Sequence, residues 1–537
     1  AILDDLTSTY SSVCNYTRAI ALLREGEIYL AYLEVEERNK EVAVSSPVQH
    51  WVTAQGSAAV KKLVDPAWDR DPATHETWFS NEERCRKLNR KFTLLASLYL
   101  RGDVSRLEST GHFQEMMRFR SAIQYVLGDI PPLDDIAESA YYGPGSSTDV
   151  KGQEVHYARK LESEECIAGS LDMACRMLSH DKAVWAHIGM DPSYSHLPEA
   201  RQGFERVMRE ILASKMVDSD HLMFVHKSIA VKRSICAQPT VSGALQLGFH
   251  VIISRLLKQM CNVDLSDQGW NQALAREGSA NWASDDPLCT LDKKDASALL
   301  CSHLVTHFFP PAWSKALART RTPSYLTPPE MGGEVLPYHM YGGMGNGTTF
   351  CIQTLVFWAG TYATSGYESP EVYAKSKKFA VYGDDVALYR AHATRYMRFM
   401  RFMGFRFNMK KTFLDGPFRE SCGADFYDGV RVRPATVDSE SGVLSDLELI
   451  GIHNTLADGP FALKKACARI RALWKQNVYP QIPTDNSGNL GFRPVDVPYY
   501  SLVRTSSGSP AISSTWHRPR TYVVEVRAKH ADLGKID

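Results

Sequence analysis

The segment Phe379-Ala-Val-Tyr-Gly-Asp-Asp-Val-Ala-Leu-Tyr389 constrains the fold more than any other part of the chain. Two apolar runs flank Gly383-Asp384, and a Gly-Asp pair between apolar runs is typical of a tight β-hairpin turn. Such a hairpin would hold Asp384 and Asp385 side by side at its tip. Adjacent carboxylates repel each other unless a cation neutralises them, so the tip is either a solvated turn or a cation site.

A third carboxylate favours the cation site. The apolar run Pro287-Leu-Cys-Thr-Leu-Asp292 predicts a strand that ends in Asp292, and a strand end can place a carboxylate beside a hairpin tip. Three converging carboxylates suit two hard divalent cations such as Mg²⁺, with Mn²⁺ as a substitute. Two such ions stabilise the attacking and the leaving oxygen of a phosphoryl transfer. We therefore predict that Asp292, Asp384 and Asp385 are catalytic metal ligands.

A basic cluster could serve the same chemistry. The segment 224–236 predicts two short strands that carry Lys227, Lys232 and Arg233. These cations could neutralise an incoming triphosphate and the departing pyrophosphate. The alternative is an ordinary solvated charged strand.

The order of the other predicted elements indicates an α+β protein. Residues 1–125 are mainly helical by their apolar periodicity. Helices are also predicted over Ala296–Phe309, Thr348–Tyr362 and Thr394–Met403, and a half-buried strand over Phe405–Lys410. Strands and helices that follow one another in this way fit an α+β layout.

Composition excludes several classes of protein. Lys plus Arg and Asp plus Glu both number 61, so a polyanion must be held by a local basic groove. A hydrophobic content of 44% excludes a disordered chain.

The 11 cysteines form no C-x-x-C motif and suit a reducing cytoplasm. The apolar run 92–100 is far shorter than a membrane span, and no signal peptide is recognisable, so we expect a soluble intracellular protein.

Taken together, these motifs resemble the catalytic beta subunit of the replicases of small single-stranded RNA bacteriophages, the levivirus group that includes Qβ. The resemblance runs from about residue 221 to 433. The matching motifs are Thr290–Asp292 as motif A, Gly343–Gly347 with Phe350 as motif B, Tyr382–Asp385 as motif C, Phe405–Phe413 with Lys410 and Lys411 as motif D, and the segment 416–423 that follows it.

The chain departs from the family pattern in motifs A and B. The family's motif A reads Asp-Leu-Ser-Ala-Ala-Ser-Asp, whereas this chain has Asp-Lys-Lys-Asp-Ala-Ser-Ala over 292–298. Ala298 therefore fills the place of the second aspartate, and Asp295 is a possible replacement. Gly342 stands where motif B usually begins with serine.

The resemblance implies a right-hand polymerase fold, with an antiparallel palm sheet flanked by helices. It places an N-terminal region with fingers support in residues 1–220 and the fingers, with strands along the path of the incoming nucleotide, in 221–289. The palm then covers 290–423, and the thumb and C-terminal region cover 424–537.

The resemblance also implies an activity: RNA-dependent replication of a phage RNA genome by two-metal nucleotidyl transfer. Lys410 or Lys411 would protonate the pyrophosphate. Asn346 would read the ribose, with Gly345 admitting the sugar and Ser297 leaving room for it. The alternative for Asn346 is a turn-forming residue in an Asn-Gly pair. A reverse transcriptase on the same palm is an alternative, although a reverse transcriptase typically has a bulky side chain near motif A to exclude ribose. A non-catalytic RNA-binding protein is the other alternative.

The partners that the resemblance implies are an RNA template and product, nucleoside triphosphates, and host translation elongation factors Tu and Ts. A ribosomal protein and an RNA chaperone join some of these replicases. The place of action would be the cytoplasm of a bacterial host, with no membrane partner.

Overall fold

A computed structural model describes residues 1–64, 72–152, 155–163, 165–439, 444, 446–458, 461, 463–473, 501–504 and 510–513. The chain divides into two compact units. The first consists of Ala1–Asp71, His226–Lys232 and Gly423–Asp537, and the second of Pro72–Val225 and Arg233–Cys422.

The α-helices among the described residues are α1 (Ile2–Thr9), α2 (Thr17–Glu25), α3 (Ile28–Lys40), α4 (Pro47–Val60), α5 (Pro72–Leu100), α6 (Val104–Glu108), α7 (Phe113–Leu127), α8 (Leu133–Glu138), α9 (Tyr157–Ser163), α10 (Leu171–Ser179), α11 (Lys182–His187), α12 (Pro198–Ala213), α13 (Thr240–Cys261), α14 (Gly269–Ala280), α15 (Ser302–Phe308), α16 (Pro311–Thr320), α17 (Thr349–Ala363), α18 (Pro370–Ser376), α19 (Arg390–Phe402), α20 (Asp446–Asp458) and α21 (Lys464–Ala472).

The strands are β1 (Lys62–Leu63), β2 (Ser219–Ser228), β3 (Val231–Ala237), β4 (Leu288–Leu291), β5 (Lys293–Lys294), β6 (Ser324–Leu326), β7 (Val335–Pro337), β8 (Phe379–Tyr382), β9 (Asp385–Tyr389), β10 (Arg406–Phe407), β11 (Phe418–Ser421), β12 (Ala424–Tyr427), β13 (Val430–Arg431), β14 (Asp438–Ser439), β15 (Ser501–Arg504) and β16 (Pro510–Ser513).

In the first unit, helices from the N-terminal part of the chain pack against described segments between residues 435 and 472. Helix α1 packs on α4 and α21, and the buried carboxylate of Asp5 accepts a hydrogen bond of 2.8 Å from the amide of Ala466. The side chain of Gln55 binds both the amide and the carbonyl of Ala435. A short parallel pair of β1 with β14 also lies in this unit.

The second unit is built around an antiparallel sheet of order β4-β9-β8. Helix α14 packs on one face, and α17 and α19 pack on the other. Alternation along the strands explains both faces: Leu288 and Ala387 cluster with Leu274 of α14, whereas Leu291 and Val386 join the main core. Because side chains alternate between the two faces of a strand, a sheet buried on both faces reads as continuous apolar runs.

The predicted α+β class is confirmed, and so are the hairpin of 379–389, the strand before Asp292 and the two strands within 224–236. Three predictions were wrong in extent. The helix predicted over Thr394–Met403 begins four residues earlier, at Arg390, and ends at Phe402. The helix predicted from Ala296 begins only at Ser302, because Asp295 adopts a left-handed backbone (φ 55°) and the chain turns. The strand predicted over Phe405–Lys410 is limited to Arg406–Phe407, since a turn follows at Asn408.

Helix α13 is long and apolar enough, by length and composition alone, to cross a membrane. Its most apolar window is 61% buried inside the protein, as in the core helix of a soluble protein. This is weak evidence for a membrane span.

Candidate active site

The central sheet brings two of the predicted carboxylates together. Strands β4 and β9 pair antiparallel with Leu291 opposite Val386. One residue further along the same register, Asp292 lies opposite Asp385. Directly opposed residues of an antiparallel pair have Cβ atoms about 4.5–5.5 Å apart. The two carboxylates therefore leave the sheet at the same edge and on the same face.

The third carboxylate lies on the turn that joins β8 to β9. Tyr382 pairs with Asp385, so Gly383-Asp384 is a two-residue turn. Gly383 has φ 59°, the left-handed conformation that a two-residue hairpin requires at its first position. Its amide donates to Thr354 Oγ1 at 3.0 Å. The sequence pattern thus dictates the turn, and the turn carries Asp384.

Asp292 is fixed by the chain that follows β10. Asn408 Nδ2 donates to Asp292 Oδ2 at 3.0 Å, and the Asn408 amide donates to the Asp292 carbonyl at 3.0 Å. The Thr412 hydroxyl contacts the main chain of Asp292. Burial raises the pKa of Asp292, as does the negative charge of Asp384, although Lys411 acts in the opposite direction.

Asp385 is held from the segment 416–423. The Cys422 amide donates to Asp385 Oδ2 at 3.1 Å. The fully buried guanidinium of Arg419 donates to the Leu288 carbonyl at 2.6 Å and ties this segment to β4. Burial and the charge of Asp384 raise the pKa of Asp385 to about 6. The site therefore brings together half-buried carboxylates that repel one another.

Lys293 is a buried cation that sequence reasoning missed. It is 3% exposed, and its Nζ donates to the Asp384 carbonyl at 2.9 Å. The same Nζ lies 4.1 Å from the ring centroid of Phe357. Burial lowers the pKa of Lys293 to about 7, although the three carboxylates act in the opposite direction. Strand alternation could have revealed it, because Lys293 shares a face with the core residue Leu291.

The two lysines of motif D, Lys410 and Lys411, are both exposed. Lys411 Nζ lies 3.6 Å from Glu420 Oε1. Burial opposes the charge of Lys411, but Glu420, Asp292 and Asp385 outweigh it and raise the pKa of Lys411. Lys411 is therefore the lysine that is electrostatically coupled to the carboxylates.

The glycine-rich loop 342–347 packs on the end of β3. The Cys236 amide donates to the Met344 carbonyl at 2.6 Å. A Cβ on Gly345 would overlap the Cys236 carbonyl, and Gly345 has φ 117°. Asn346 is 5% exposed, and its Oδ1 accepts from the amide (3.0 Å) and the hydroxyl (2.7 Å) of Thr348. The oxygen of this amide is thus used within the loop, and the role of Asn346 toward a ribose stays a prediction.

Asp295, the possible replacement for the missing second aspartate, forms an ion pair. Arg406 Nη2 lies 2.6 Å from Asp295 Oδ2 and donates to Asn81 Oδ1 at 2.9 Å. Ser297 follows on the partly exposed turn. The Asp295 carboxylate is therefore engaged by a cation of motif D.

The predicted triphosphate cluster lies on the β2–β3 hairpin. Lys227 and Arg233 are exposed, and Lys232 is half-buried. Lys227 and Lys232 belong to the first unit and Arg233 to the second, which also holds the carboxylates. The role of the cluster stays a prediction.

Across the residues that the structure describes, no group of three or more His, Cys, Asp or Glu side chains is placed to hold a metal ion. Asp292 and Asp385 are neighbours by register, Asp384 lies on the adjoining turn, and the three couple electrostatically without forming such a group. Their assignment as metal ligands also stays a prediction.

Comparison with known proteins shows the family to which the chain belongs. A sequence model described as RNA replicase, beta-chain, matches residues 64–457. The RNA-directed RNA polymerase beta chain of Escherichia phage MS2 is 34% identical over 236 residues, which are 44% of this chain and 41% of that protein. The corresponding subunit of Enterobacteria phage SP is 28% identical over 71% of this chain and 59% of its own length.

The beta subunit of Escherichia virus Qbeta is 29% identical over 63% of this chain and 51% of its own length. The chain thus matches about half the length of these relatives. Among solved structures, the RNA-dependent RNA polymerase of BmCPV at elongation state aligns with a TM-score of 0.37 and 14% identity. That alignment covers 63% of this chain and 31% of the other.

Proposed function

Because the chain belongs to the RNA replicase beta-chain family, we propose that it is an RNA-directed RNA polymerase that copies a single-stranded RNA phage genome. The observation that carries the proposal is the juxtaposition of Asp292, Asp384 and Asp385 at one edge of the sheet. A protein that only binds RNA has no need for three neighbouring, half-buried carboxylates that repel one another.

In this proposal the sheet β4-β9-β8, with α14 on one face and α17 and α19 on the other, is the palm of a right hand. The palm covers 290–423, and the fingers and their support precede it. Residues from 424 onward form the thumb and C-terminal region.

The three aspartates would hold two Mg²⁺ ions, for which Mn²⁺ can substitute. The donor chemistry fits: all three donors are carboxylates, which hard divalent cations prefer, and burial, together with the negative charge of Asp384, raises the pKa of Asp292 and Asp385. When bound, the ions supply Lewis-acid stabilisation of the attacking 3′-oxygen and of the leaving phosphate. The chain supplies the rigid frame: the β4–β9 register orients two carboxylates, and the Gly383 turn presents the third.

Other residues would position the nucleotide. Lys227, Lys232 and Arg233 would neutralise the triphosphate charge. Asn346 would donate its Nδ2 hydrogen to the 2′-hydroxyl, since its Oδ1 is already occupied by Thr348. Gly345 admits the ribose because it has no Cβ, and Ser297 leaves room beside the sugar.

A lysine of motif D would protonate the pyrophosphate as it leaves. We assign this role to Lys411 over Lys410, because Lys411 is coupled to Asp292 and Asp385. A cation beside the leaving group is suited to general acid catalysis.

The partners in this proposal are the RNA template and product and the nucleoside triphosphates, in the cytoplasm of a bacterial host. Host elongation factors Tu and Ts are the protein partners that we would seek first, then a ribosomal protein and an RNA chaperone. Co-purification from infected cells tests this set.

The deciding experiment is Mg²⁺-dependent incorporation of labelled ribonucleotides on an RNA template. We expect activity in the wild type and a loss of at least about 100-fold in Asp384→Asn, because a neutral ligand weakens metal binding. RNA affinity should stay unchanged in that variant. Asp285→Asn is the matched control, since Asp285 is an exposed aspartate seven residues before Asp292.

The same experiment separates the alternatives. Incorporation of deoxynucleotides in preference to ribonucleotides would indicate a reverse transcriptase. RNA binding without any incorporation, with and without the host factors, would indicate a non-catalytic binding protein. Normal activity in Asp384→Asn with Mg²⁺ as the only metal would refute the metal-ligand assignment.

A further inference from the structure

Lys293 is a buried cation that the proposed reaction does not use. It replaces the leucine that the family pattern has directly after the first aspartate of motif A. A buried lysine is rare unless it is paired, because removing an ammonium group from water costs several kcal/mol. Something in the protein must therefore compensate for its burial.

The compensation comes from the catalytic edge of the sheet. Lys293 lies on β5, which pairs with β10 so that Lys293 is opposite Phe407. Its Nζ donates to the Asp384 carbonyl at 2.9 Å. The carboxylates of Asp384, Asp385 and Asp292 all act on its charge.

Aromatic rings surround the other side of the ammonium group. The ring centroids of Phe357, Tyr396 and Phe407 lie 4.1, 5.4 and 5.8 Å from Nζ. Aromatic faces attract cations at these distances, and the rings keep the lysine aligned toward the turn. The adjacent Lys294, by contrast, points to solvent.

We propose that Lys293 is a positioning residue for the catalytic turn: its ammonium group holds the main chain of Asp384 and offsets the repulsion among the three aspartates before divalent cations bind. The proposal rests on the proposed function, in which these aspartates are metal ligands. It implies that Lys293 and the metal ions relieve the same repulsion. Two cations that relieve the same repulsion are thermodynamically antagonistic, so each reduces the stabilisation that the other gives.

The test is the thermal stability of Lys293→Met, a variant that keeps side-chain volume and removes the charge and the donor. We expect its melting temperature to fall by about 3–6 °C in EDTA, because removing one partner leaves buried charges uncompensated. Saturating Mg²⁺ should restore at least half of that loss. Lys294→Met is the matched control and should melt like the wild type in both buffers.

A double-mutant cycle with Asp384→Asn isolates the coupling. In the Asp384→Asn background, Lys293→Met should lower the melting temperature in EDTA by less than half of the decrease that it causes in the wild type. If Lys293→Met fails to fold, the double variant should fold, because one of the repelling charges is gone.

Three outcomes would overturn the proposal. One is an equal loss of melting temperature in EDTA, in Mg²⁺ and in the Asp384→Asn background, which would show that Lys293 does not offset the repulsion among the aspartates. The others are a gain of stability in every buffer and a double variant that also fails to fold. The measurements in EDTA need neither bound metal nor polymerase activity, so they remain decisive even if the proposed function fails.

Discussion

Gly383→Ala adds a single methyl group, and we expect it to lower both the stability of the protein and the activity of the candidate site. Gly383 has φ 59°, and a Cβ built on it would lie 2.5 Å from Phe350 Cε2, with two further ring carbons at 3.2 and 3.3 Å. The turn cannot move away freely, because its amide donates to Thr354 and the Asp384 carbonyl is held by Lys293.

The decrease in unfolding free energy caused by Gly383→Ala has two parts, and a control variant can separate them. A left-handed backbone costs alanine about 1–2 kcal/mol relative to glycine. Overpacking against the Phe350 ring adds about 1–3 kcal/mol. Gly366 has φ 82°, and a Cβ built on it would meet nothing within 4 Å, so Gly366→Ala carries the backbone cost alone. The difference in unfolding free energy between the two variants is therefore the cost of the contact with Phe350.

The functional loss should be larger than the loss of stability. If the turn yields by a fraction of an ångström, Asp384 moves, and misplacement by about 1 Å can cost roughly 100-fold in rate. We expect ribonucleotide incorporation by Gly383→Ala to fall about 10- to 100-fold at a temperature where both variants are folded, with Gly366→Ala near the wild type. Equal stability and equal activity in the two variants would refute this account of the turn.

Three more perturbations test the site. Lys411→Met should slow incorporation about 10- to 100-fold and flatten its alkaline pH dependence, whereas Lys410→Met should not; equal effects would refute the assignment. Asn346→Asp, which keeps the oxygen that binds Thr348 and loses the donor, should narrow the preference for GTP over dGTP in kcat/KM by roughly 5- to 150-fold, and an unchanged ratio would place ribose reading elsewhere. The pKa of Asp385 is raised to about 6. Protonation of Asp385 therefore adds to the free energy of unfolding at low pH, and this contribution is lost as pH rises through about 6. In EDTA, the melting temperature of Asp385→Asn should therefore fall less than that of the wild type between about pH 5 and pH 7.5. An unchanged dependence of the melting temperature on pH would contradict the raised pKa of Asp385.

The hairpin and its turn were predictable because local rules decide them. Apolar runs on both sides of Gly383-Asp384 specify two buried strands and a tight turn, whatever surrounds them. The strand before Asp292 was predictable for the same reason. That Asp292 lies opposite Asp385 depends on the register between distant strands, which no local pattern encodes.

The errors arose where long-range contacts override local preference. Alternation of polar and apolar residues over Phe405–Lys410 predicts a strand, but Asn408 turns away to bind Asp292, so the strand ends at Phe407. The helix predicted from Ala296 starts late because Asp295 is held by Arg406 in a left-handed conformation. In both cases a side chain of motif D meets motif A across more than one hundred residues of sequence.

These two contacts show how motif A is supported from outside its own strand. Asn408 binds the carboxylate of Asp292, and Arg406 binds that of Asp295. Between them, Lys293 projects to the opposite face and reaches the turn of motif C. Asp292 and Lys293 are successive residues that make separate contacts, because the side chains of successive residues in an extended chain point to opposite faces. A change in the register of the β5–β10 pair would displace Asp292, Asp295 and the Gly383 turn together. We therefore infer that Lys293 and the left-handed Asp295 act together to hold these charged side chains at one edge of the sheet.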